Sequence, residues 1–310
     1  MADAFQSTTD VVKFNDADLD IGIVSDVLDD APLLQVLAAR SIPGYTYKYL
    51  KKTANPSVGF RAENDGRENT KATYTNITVT ASVLDASFAV DVATAQSDER
   101  GWQAHLGTQA MDHLKSAFAH AETEILYGSD SNGFTGLAGQ TNLDDDDDAQ
   151  VVTAGGTTAS TGSSVWLIRS GIMDCHAVWG QTGVISMGDT TIQRLAGSST
   201  GTYPAYYTPI TAWMGLQVGS IYSVVRICNL TEDSGKGLTD DLIASALSKF
   251  PAGKGPDFMV MSRRSQKQLQ NSRTATNPTG APAPFPQQAF NVPIVVTDQQ
   301  SDTETLLTNA

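Results

Sequence analysis

The first candidate chemistry in this sequence is metal binding by three histidines of one helical segment, His105, His113 and His120. Spacings of eight and seven residues place neighbouring imidazoles roughly 10 to 12 Å apart along a helix that rises about 1.5 Å per residue. A zinc ion needs each ligand nitrogen at about 2.0 to 2.1 Å, so these side chains cannot share one ion. We interpret them as polar-face or interface residues, and His176, in an apolar strand, as a core residue with satisfied hydrogen bonds.

Five consecutive aspartates, Asp144 to Asp148, offer carboxylates, which are ligands that calcium prefers. The run lacks the interleaved glycine and the distal glutamate that fold an EF-hand loop around its ion. Like charges in a row also repel one another and keep the chain open. We therefore interpret the run as a solvated loop, with calcium binding as the alternative.

No other residues have the spacing of a catalytic or cofactor site, since GxSxG, HExxH, Walker A and GxGxxG patterns are absent. Cys175 and Cys228 match no metal-ligand or redox spacing, which excludes a disulfide framework. Arg263 and Arg264 lack the glycine-rich loop of a phosphate site, and we expect them to cap a surface or meet an acidic patch. The sequence therefore predicts no catalytic, cofactor-binding or metal-binding residue and no enzymatic activity.

The composition limits the partners of the chain. With 20 Lys and Arg against 34 Asp and Glu, the 310 residues carry a formal net charge of −14, which disfavours sequence-specific nucleic-acid binding. The N-terminal residues have neither a basic region nor an apolar core of an export signal, and no uncharged apolar run of about 18 residues occurs. We expect synthesis in the cytoplasm without membrane insertion. Charged residues make up only 17%, which favours a surface partly hidden in partners.

Helical periodicity is clearest over residues 101–127, which predicts one helix of about 40 Å that begins after Ser97, Asp98 and Glu99 and ends at Gly128. The residues expected to anchor this helix on a sheet are Trp102, Leu106, Leu114 and Phe118. Upstream, residues 1–20 form an acidic arm with little core material, and residues 21–40 predict two short helices separated near Pro32.

Residues from 41 onward change to a β pattern and predict a long hairpin. Its first arm is followed by a polar tip over residues 53–71, and its second arm alternates from Ile77 to Val92. The alternation changes phase near residue 83, which predicts a β-bulge. A two-stranded ribbon buries too little to be stable alone, so the hairpin needs another surface.

The second half of the chain is β-rich and then mixed. SSVWLIRSGIMDCHAVWG and GLQVGSIYSVVRICNL predict strands. Thr239 is expected to cap a helix that Pro251 ends, DFMVM to form a buried strand, Ser262 to open a second helix, and NVPIVVTD to form a last strand. Residues 238–298 therefore predict an α/β lobe.

The order of these parts, with ETEILYGSDSNGFTGLAG after the long helix and the pair SVWLIRSG and YSVVRICNL, resembles the major capsid proteins of tailed bacteriophages. The resemblance implies an α+β, Hong Kong 97-like capsid fold. Its implied parts are an N-terminal arm (1–43), an E-loop hairpin (44–96), a P-domain spine helix with the following turn (97–140), β-rich P-domain strands or an inserted domain (141–237), and an A-domain with a C-terminal strand (238–310).

The resemblance also implies function and partners. The chain would self-assemble as hexamers and pentamers into the icosahedral shell of a virion, with portal and scaffolding proteins, a decoration protein as a further partner, and packaged double-stranded DNA held without sequence-specific contact. The alternatives are an encapsulin-like nanocompartment shell and, more remotely, a secreted β-rich hydrolase or glycan-binding protein. In a shell, the hairpin tip is expected to dock on a neighbouring subunit through Val58, Phe60, Arg61, Glu63, Asp65, Arg67, Glu68 and Lys71.

Overall fold

The computed structural model describes residues 6–8, 10–11, 27–181, 183, 185–197, 201–275 and 284–308. Most of the predicted acidic arm, most of the first predicted short helix and residues 276–283 lie outside these residues. The helices are α1 (Leu33–Val36), α2 (Val92–Gln96), α3 (Trp102–Tyr127), α4 (Asp240–Ser248) and α5 (Arg263–Ala275), and short 3-10 turns lie at Leu137–Gly139 and Ile221–Ser223.

The strands are β1 (Ala39–Ser41), β2 (Thr46–Ala54), β3 (Thr73–Thr80), β4 (Ser82–Asp85), β5 (Phe88–Asp91), β6 (Val151–Thr153), β7 (Ser163–Ile168), β8 (Cys175–Trp179), β9 (Ser186–Met187), β10 (Thr191–Ala196), β11 (Thr202–Thr208), β12 (Ile210–Val218), β13 (Val224–Leu230), β14 (Phe258–Met261), β15 (Gln288–Ala289) and β16 (Val292–Val296). These bounds confirm the predicted hairpin arm β2, both β-rich segments, and the predicted strands β14 and β16.

A six-stranded sheet in the order β15-β16-β14-β7-β13-β6 forms the centre of the second half of the chain. Strands β7, β13 and β14 are buried along their whole length. One face packs against α4 and α5 through Ile243 and Leu269, and the other joins the main core around Trp166 and Ile125. Because β14 pairs with β7, this sheet crosses the predicted boundary between residues 237 and 238.

Helix α4 begins as predicted, because the Thr239 side chain accepts a hydrogen bond from the Leu242 backbone N–H at 3.3 Å. Ser262 plays the same role before α5, where its Oγ accepts from the Ser265 N–H at 3.2 Å.

A five-stranded sheet and a three-stranded sheet combine strands from both halves of the chain. Strands β1, β8, β12 and β4 lie side by side in the first, with β9 also on β12, and the second has the order β10-β11-β5. The long helix α3 lies against both groups: its first half packs on β5 and β11 through Leu106, and its second half enters the main core through Ile125. The predicted helix is therefore confirmed over its full length.

The predicted anchoring face of α3 is only partly correct. Leu106 is buried, Leu114 is partly buried, and Trp102 stacks on Tyr206 with ring centroids 4.9 Å apart. Phe118 is 38% exposed, so its prediction as a core anchor is wrong. The helix passes from one core to another, and the buried positions beyond Leu114 do not include 118 but are 117, 119, 121, 122, 124, 125 and 126.

The buried and exposed faces of α3 predict different effects of substitution on stability. Ile125→Ala is expected to lower the free energy of unfolding by about 2 to 5 kcal/mol, because Ile125 is fully buried in the main core. Phe118→Ala should lower it by less than about 1 kcal/mol. Chemical denaturation of both variants measures the difference, and equal losses would contradict the assigned faces.

A buried polar network fixes the segment after β16 to the body. The carboxylate of Glu304 accepts hydrogen bonds from the Tyr127 hydroxyl (2.6 Å) and the Ser164 hydroxyl (2.6 Å), and lies 3.1 Å from Nη2 of Arg226. The Arg226 guanidinium also donates to the Leu143 carbonyl at 3.0 Å. Burial, followed by the Glu304 charge, raises the pKa of Tyr127, so its hydroxyl stays a donor.

Further contacts extend this attachment on both sides of Glu304. The Trp166 indole N–H donates to Gln300 Oε1 at 2.9 Å. Asn229 forms two hydrogen bonds with the backbone of Leu307, accepting from its N–H at 2.8 Å and donating to its carbonyl at 2.9 Å. Residues 300–307 are therefore attached to the core by side-chain hydrogen bonds.

Candidate assembly interface

The hairpin formed by β2 and β3 is the largest part of the described chain without a core of its own. The strands pair antiparallel from Thr46 opposite Thr80 to Ala54 opposite Thr73. Only the base is anchored, where Val79 packs with Ile42 and Val178 of the five-stranded sheet. The predicted long hairpin with a polar tip is confirmed, but its second arm ends at Thr80 rather than at Val92.

The predicted β-bulge near residue 83 is wrong. Strand β3 ends at Thr80, and the chain then leaves its hairpin partner: β4 pairs with β12 and β5 pairs with β11. The change of phase in the sequence therefore marks a change of sheet, because each sheet buries a different face of the chain. The register shift of the hairpin lies elsewhere, between Lys52 and Ala54.

The tip of the hairpin is fully open to solvent. Every residue from 57 to 71 is exposed, with Val58 at 88% and Phe60 completely exposed. All eight residues predicted to contact a neighbouring subunit lie in this loop, and none of them packs on the body of the same chain. Large apolar groups of this kind on an exposed loop are typical of a contact surface.

Both arginines of the tip are used to shape the loop. Nη2 of Arg67 donates to the Ser57 hydroxyl at 2.9 Å, and Nη1 of Arg61 donates to the Asp65 carbonyl at 3.1 Å. A Cβ atom at Gly59 would lie 2.6 Å from the Arg67 guanidinium, so the loop folds closely over this glycine. Within the described residues, Lys71 makes no ion pair, and the tip lysine therefore remains available to a partner.

Charge divides the chain into a basic hairpin and an acidic body. Residues 46–80 contain six Lys and Arg and three Asp and Glu, so their net charge is 6 − 3 = +3. The remainder contains 20 − 6 = 14 basic and 34 − 3 = 31 acidic residues, a net charge of 14 − 31 = −17. The hairpin therefore carries a net charge opposite in sign to that of the rest of the chain.

The glycine-rich turn after α3 lies beside the hairpin base. Gly128 ends the helix in a left-handed conformation (φ 60°), and its N–H donates to the Glu124 carbonyl at 2.9 Å. A Cβ atom on Gly128 would lie 2.2 Å from the Gly136 nitrogen, and one on Gly136 would lie 2.4 Å from the Gly128 nitrogen. The spacing of the GSDSNGFTG segment thus allows the turn to close back on the end of the helix.

The structure separates the four histidines. His105 is completely buried, with Nδ1 3.0 Å from Asp98 and Nε2 2.7 Å from Gln6, so its prediction as a polar-face or interface residue is wrong. Arg100 holds the pKa of Asp98 well below its usual range, which keeps that carboxylate available to His105. His113 stacks on Phe88.

His176 and His120 have different surroundings. His176 is buried in the core as predicted, where its Nε2 lies 3.5 Å from the Tyr47 hydroxyl and the Gly171 backbone supplies a further hydrogen bond. Burial lowers the pKa of His176 and favours the neutral ring. The exposed His120 lies 3.7 Å from Asp130.

The remaining candidate residues from the sequence are the aspartate run and the arginine pair. Carboxylate oxygens of Asp145, Asp146 and Asp147 lie within 4.8 Å of one another on a partly exposed turn, which is the loop that was predicted. Arg264 meets Asp302 at 3.3 Å, as expected, whereas Arg263 donates to Gln266 Oε1 at 3.1 Å.

Two further sequence expectations concern thiols and membrane segments. Cys175 and Cys228 are buried free thiols, whose pKa values burial raises to about 12 and about 11. No helix of the described residues is long and apolar enough to cross a membrane.

Comparison with solved structures identifies the fold. A chain in the structure of bacteriophage Epsilon15 matches with a TM-score of 0.68 at 19% identity, covering 99% of each chain. The capsid of bacteriophage JBD30 matches with a TM-score of 0.51 at 12% identity, covering 89% of this chain and 93% of the other. The holo-SrpI encapsulin from Synechococcus elongatus PCC 7942 gives a TM-score of only 0.43 at 8% identity, covering 74% and 96%.

Comparison at the level of sequence families identifies the class of protein. No curated protein matches the chain. The family model for the major capsid protein GP7 matches residues 26–307, which include every helix and strand described above. The chain therefore belongs to the major capsid protein GP7 family of tailed bacteriophages, structural proteins with the Hong Kong 97-like fold that assemble into the shell of the virion.

Proposed function

We propose that this chain builds an icosahedral phage head as hexamers and pentamers in which the basic hairpin of each copy docks on the acidic body of its neighbour. The observation that carries this proposal is the hairpin itself, which has a net charge of +3, no core beyond its base, and an exposed apolar tip. Covering Val58 and Phe60 supplies apolar burial, and the opposite charges orient the contact.

The remaining partners follow from the role of a container. Double-stranded DNA is packaged without sequence-specific contact, since a net charge of −14 gives the chain little affinity for phosphates. Portal and scaffolding proteins, with a decoration protein as a further partner, complete the head, and the subunit is synthesised in the host cytoplasm. The protein has no catalytic role in this proposal.

Salt dependence of assembly tests the proposed contact. Exposed charges are screened over about 10 Å at 0.1 M salt and over about 3 Å at 1 M. Light scattering and electron microscopy should therefore show less shell formation from purified subunits in 1 M than in 0.1 M sodium chloride.

A matched variant gives the control. Replacing Lys48, Lys51 and Lys52 by Gln reduces the hairpin charge to 3 − 3 = 0 without altering its tip. This variant should assemble less at low salt and lose most of the salt dependence. Equal assembly of the wild-type protein at both salt concentrations would contradict the electrostatic contact.

A further inference from the structure

A small cavity opens between the end of α3, the following turn and the edge strand β4. Its volume is about 50 Å³, and its polar lining is formed by Ser82, His120, Glu124, Asp130 and Asn132. Met214 and Phe134 close its apolar side. The cavity lies next to the base of the hairpin, because Ser82 follows two residues after the end of β3.

Glu124 is the residue that gives this cavity a chemical preference. The residue is only 4% exposed, and its Oε2 accepts a hydrogen bond from the Asp130 backbone N–H at 3.1 Å. Its Oε1 is buried and has no hydrogen-bond partner within the described chain. A Cβ atom on Gly133 would lie 1.9 Å from this oxygen, so the turn fits closely around the carboxylate. A buried acceptor without a donor favours a ligand that supplies one.

The acidic surroundings select a cationic donor. The Asp130 carboxylate lies at the mouth of the cavity with 44% of its side chain exposed, and His120 approaches it at 3.7 Å. Among the described residues, Asp145, Asp146 and Asp147 are the only group of three His, Cys, Asp or Glu side chains whose ligand atoms lie within 4.8 Å of one another. His120, Glu124 and Asp130 therefore do not form such a cluster at this cavity.

A lysine ammonium fits the cavity better than an arginine guanidinium. The ammonium is a compact point charge with three donors, whereas the guanidinium is a wide planar fork. The arginines of the hairpin tip already donate to Ser57 and to the Asp65 carbonyl. By contrast, Lys52 and Lys71 are exposed and make no hydrogen bond or ion pair to another described residue.

These lysines cannot reach the cavity of their own chain. Lys52 pairs with Tyr74, six residues before the end of β3, which is roughly 20 Å from the hairpin base at about 3.3 Å per residue. Lys71 lies farther out, beyond the end of the paired strands. The lysine must come from a second copy.

We propose that the cavity at Glu124 is the receptor for the hairpin of a neighbouring subunit and binds the ε-ammonium of its Lys52 or Lys71. The inference rests on the proposed docking of the hairpin and names the place where it docks. The ammonium donates to Glu124 Oε1, and the Asp130 carboxylate stabilises the charge at the mouth.

Cross-linking of assembled particles tests this pairing directly. Shells are grown from an equal mixture of ¹⁴N-labelled and ¹⁵N-labelled protein and treated with a zero-length carbodiimide, which joins a carboxylate to an amine as an amide while the reagent takes up the elements of water and leaves as a urea. Mass spectrometry should find a mixed-label peptide pair in which Glu124 or Asp130 is joined to Lys52 or Lys71.

A mutant cycle measures the same pairing without cross-linking. Glu124→Gln, and separately Lys52→Gln with Lys71→Gln, should lower the guanidinium concentration at which shells dissociate, and all three changes together should add little to either. Asp112→Asn is the matched control, since it removes one charge from an exposed position of the same helix. The two lysines are exposed, so their variants fold whether or not Glu124→Gln does.

The outcomes separate this inference from the proposed function. The inference would be overturned if shells of the Glu124 and lysine variants dissociated at the same guanidinium concentration as wild-type shells and no mixed-label link formed at this cavity. The cavity would then hold only water. If removal of the hairpin tip nevertheless prevents assembly, the hairpin must dock at a different place on the neighbouring subunit. Normal assembly without the tip would overturn the proposed function itself.

Discussion

Deletion of residues 55–68 is expected to leave the subunit folded and to abolish shell formation. The deleted segment contributes no residue to the buried cores, and Phe60 is fully exposed. Removal leaves four residues, 69–72, between Ala54 and Thr73, which still face each other across the hairpin. A four-residue connection is a common hairpin loop, so the strands remain closed. The lost tip, in contrast, removes the apolar anchor from every contact around the shell.

The measurement combines folding and assembly. Circular dichroism should give the same spectrum and nearly the same melting temperature as the full chain, while electron microscopy shows no closed particles. The double variant Val58→Ser with Phe60→Ser keeps the loop length and removes only the two apolar side chains. It therefore distinguishes the contribution of the apolar anchor from that of the tip backbone. Normal particles from the deletion variant would contradict the assignment of the hairpin as an assembly element.

Glu304→Ala is expected to lower the free energy of unfolding by about 3 to 5 kcal/mol, because it leaves the Arg226 charge buried without its partner. Both side chains are less than a tenth exposed. The change also removes the acceptor of the Tyr127 and Ser164 hydroxyls. Chemical denaturation of the purified subunit measures the loss.

The control for this change is Glu232→Ala, which removes an exposed carboxylate and should alter stability by no more than about 0.5 kcal/mol. Tyr127→Phe, which removes a single hydroxyl, should cost about 1 kcal/mol. If Glu304→Ala behaves like the exposed control, the network does not fix the end of the described chain.

Local signals in the sequence predicted the elements of this fold well. Helix α3 has helical periodicity, and Gly128 supplies the left-handed residue that ends it. Strand membership could not be predicted in the same way. The phase change near residue 83 gave the same pattern as a bulge, because alternation records which face is buried and not which sheet buries it. The prediction that Phe118 is a core anchor was wrong for a related reason, since its helix crosses from one core to another.

The candidate interface was only partly predictable. The hairpin could be recognised because residues 53–71 offer so little to bury, which is a property of composition alone. The cavity could not, because Ser82, Glu124 and Asp130 are far apart in sequence or on different elements and meet only in the folded chain. The close spacing of Gly128, Gly133 and Gly136 was the available signal, since it requires a turn that packs tightly on the end of the long helix.

The attachment of residues 300–307 to the core imposes an order on synthesis. Arg226 and Asn229 leave the ribosome 78 residues before Glu304 and Leu307, their respective partners. Until those partners emerge, the ion pair and hydrogen bonds that join residues 300–307 to the six-stranded sheet are missing, so the sheet is less stable. We expect a nascent or truncated chain that lacks these residues to reach the native state less readily. Copies that end before residue 307 should therefore enter the particle less often than copies that contain it.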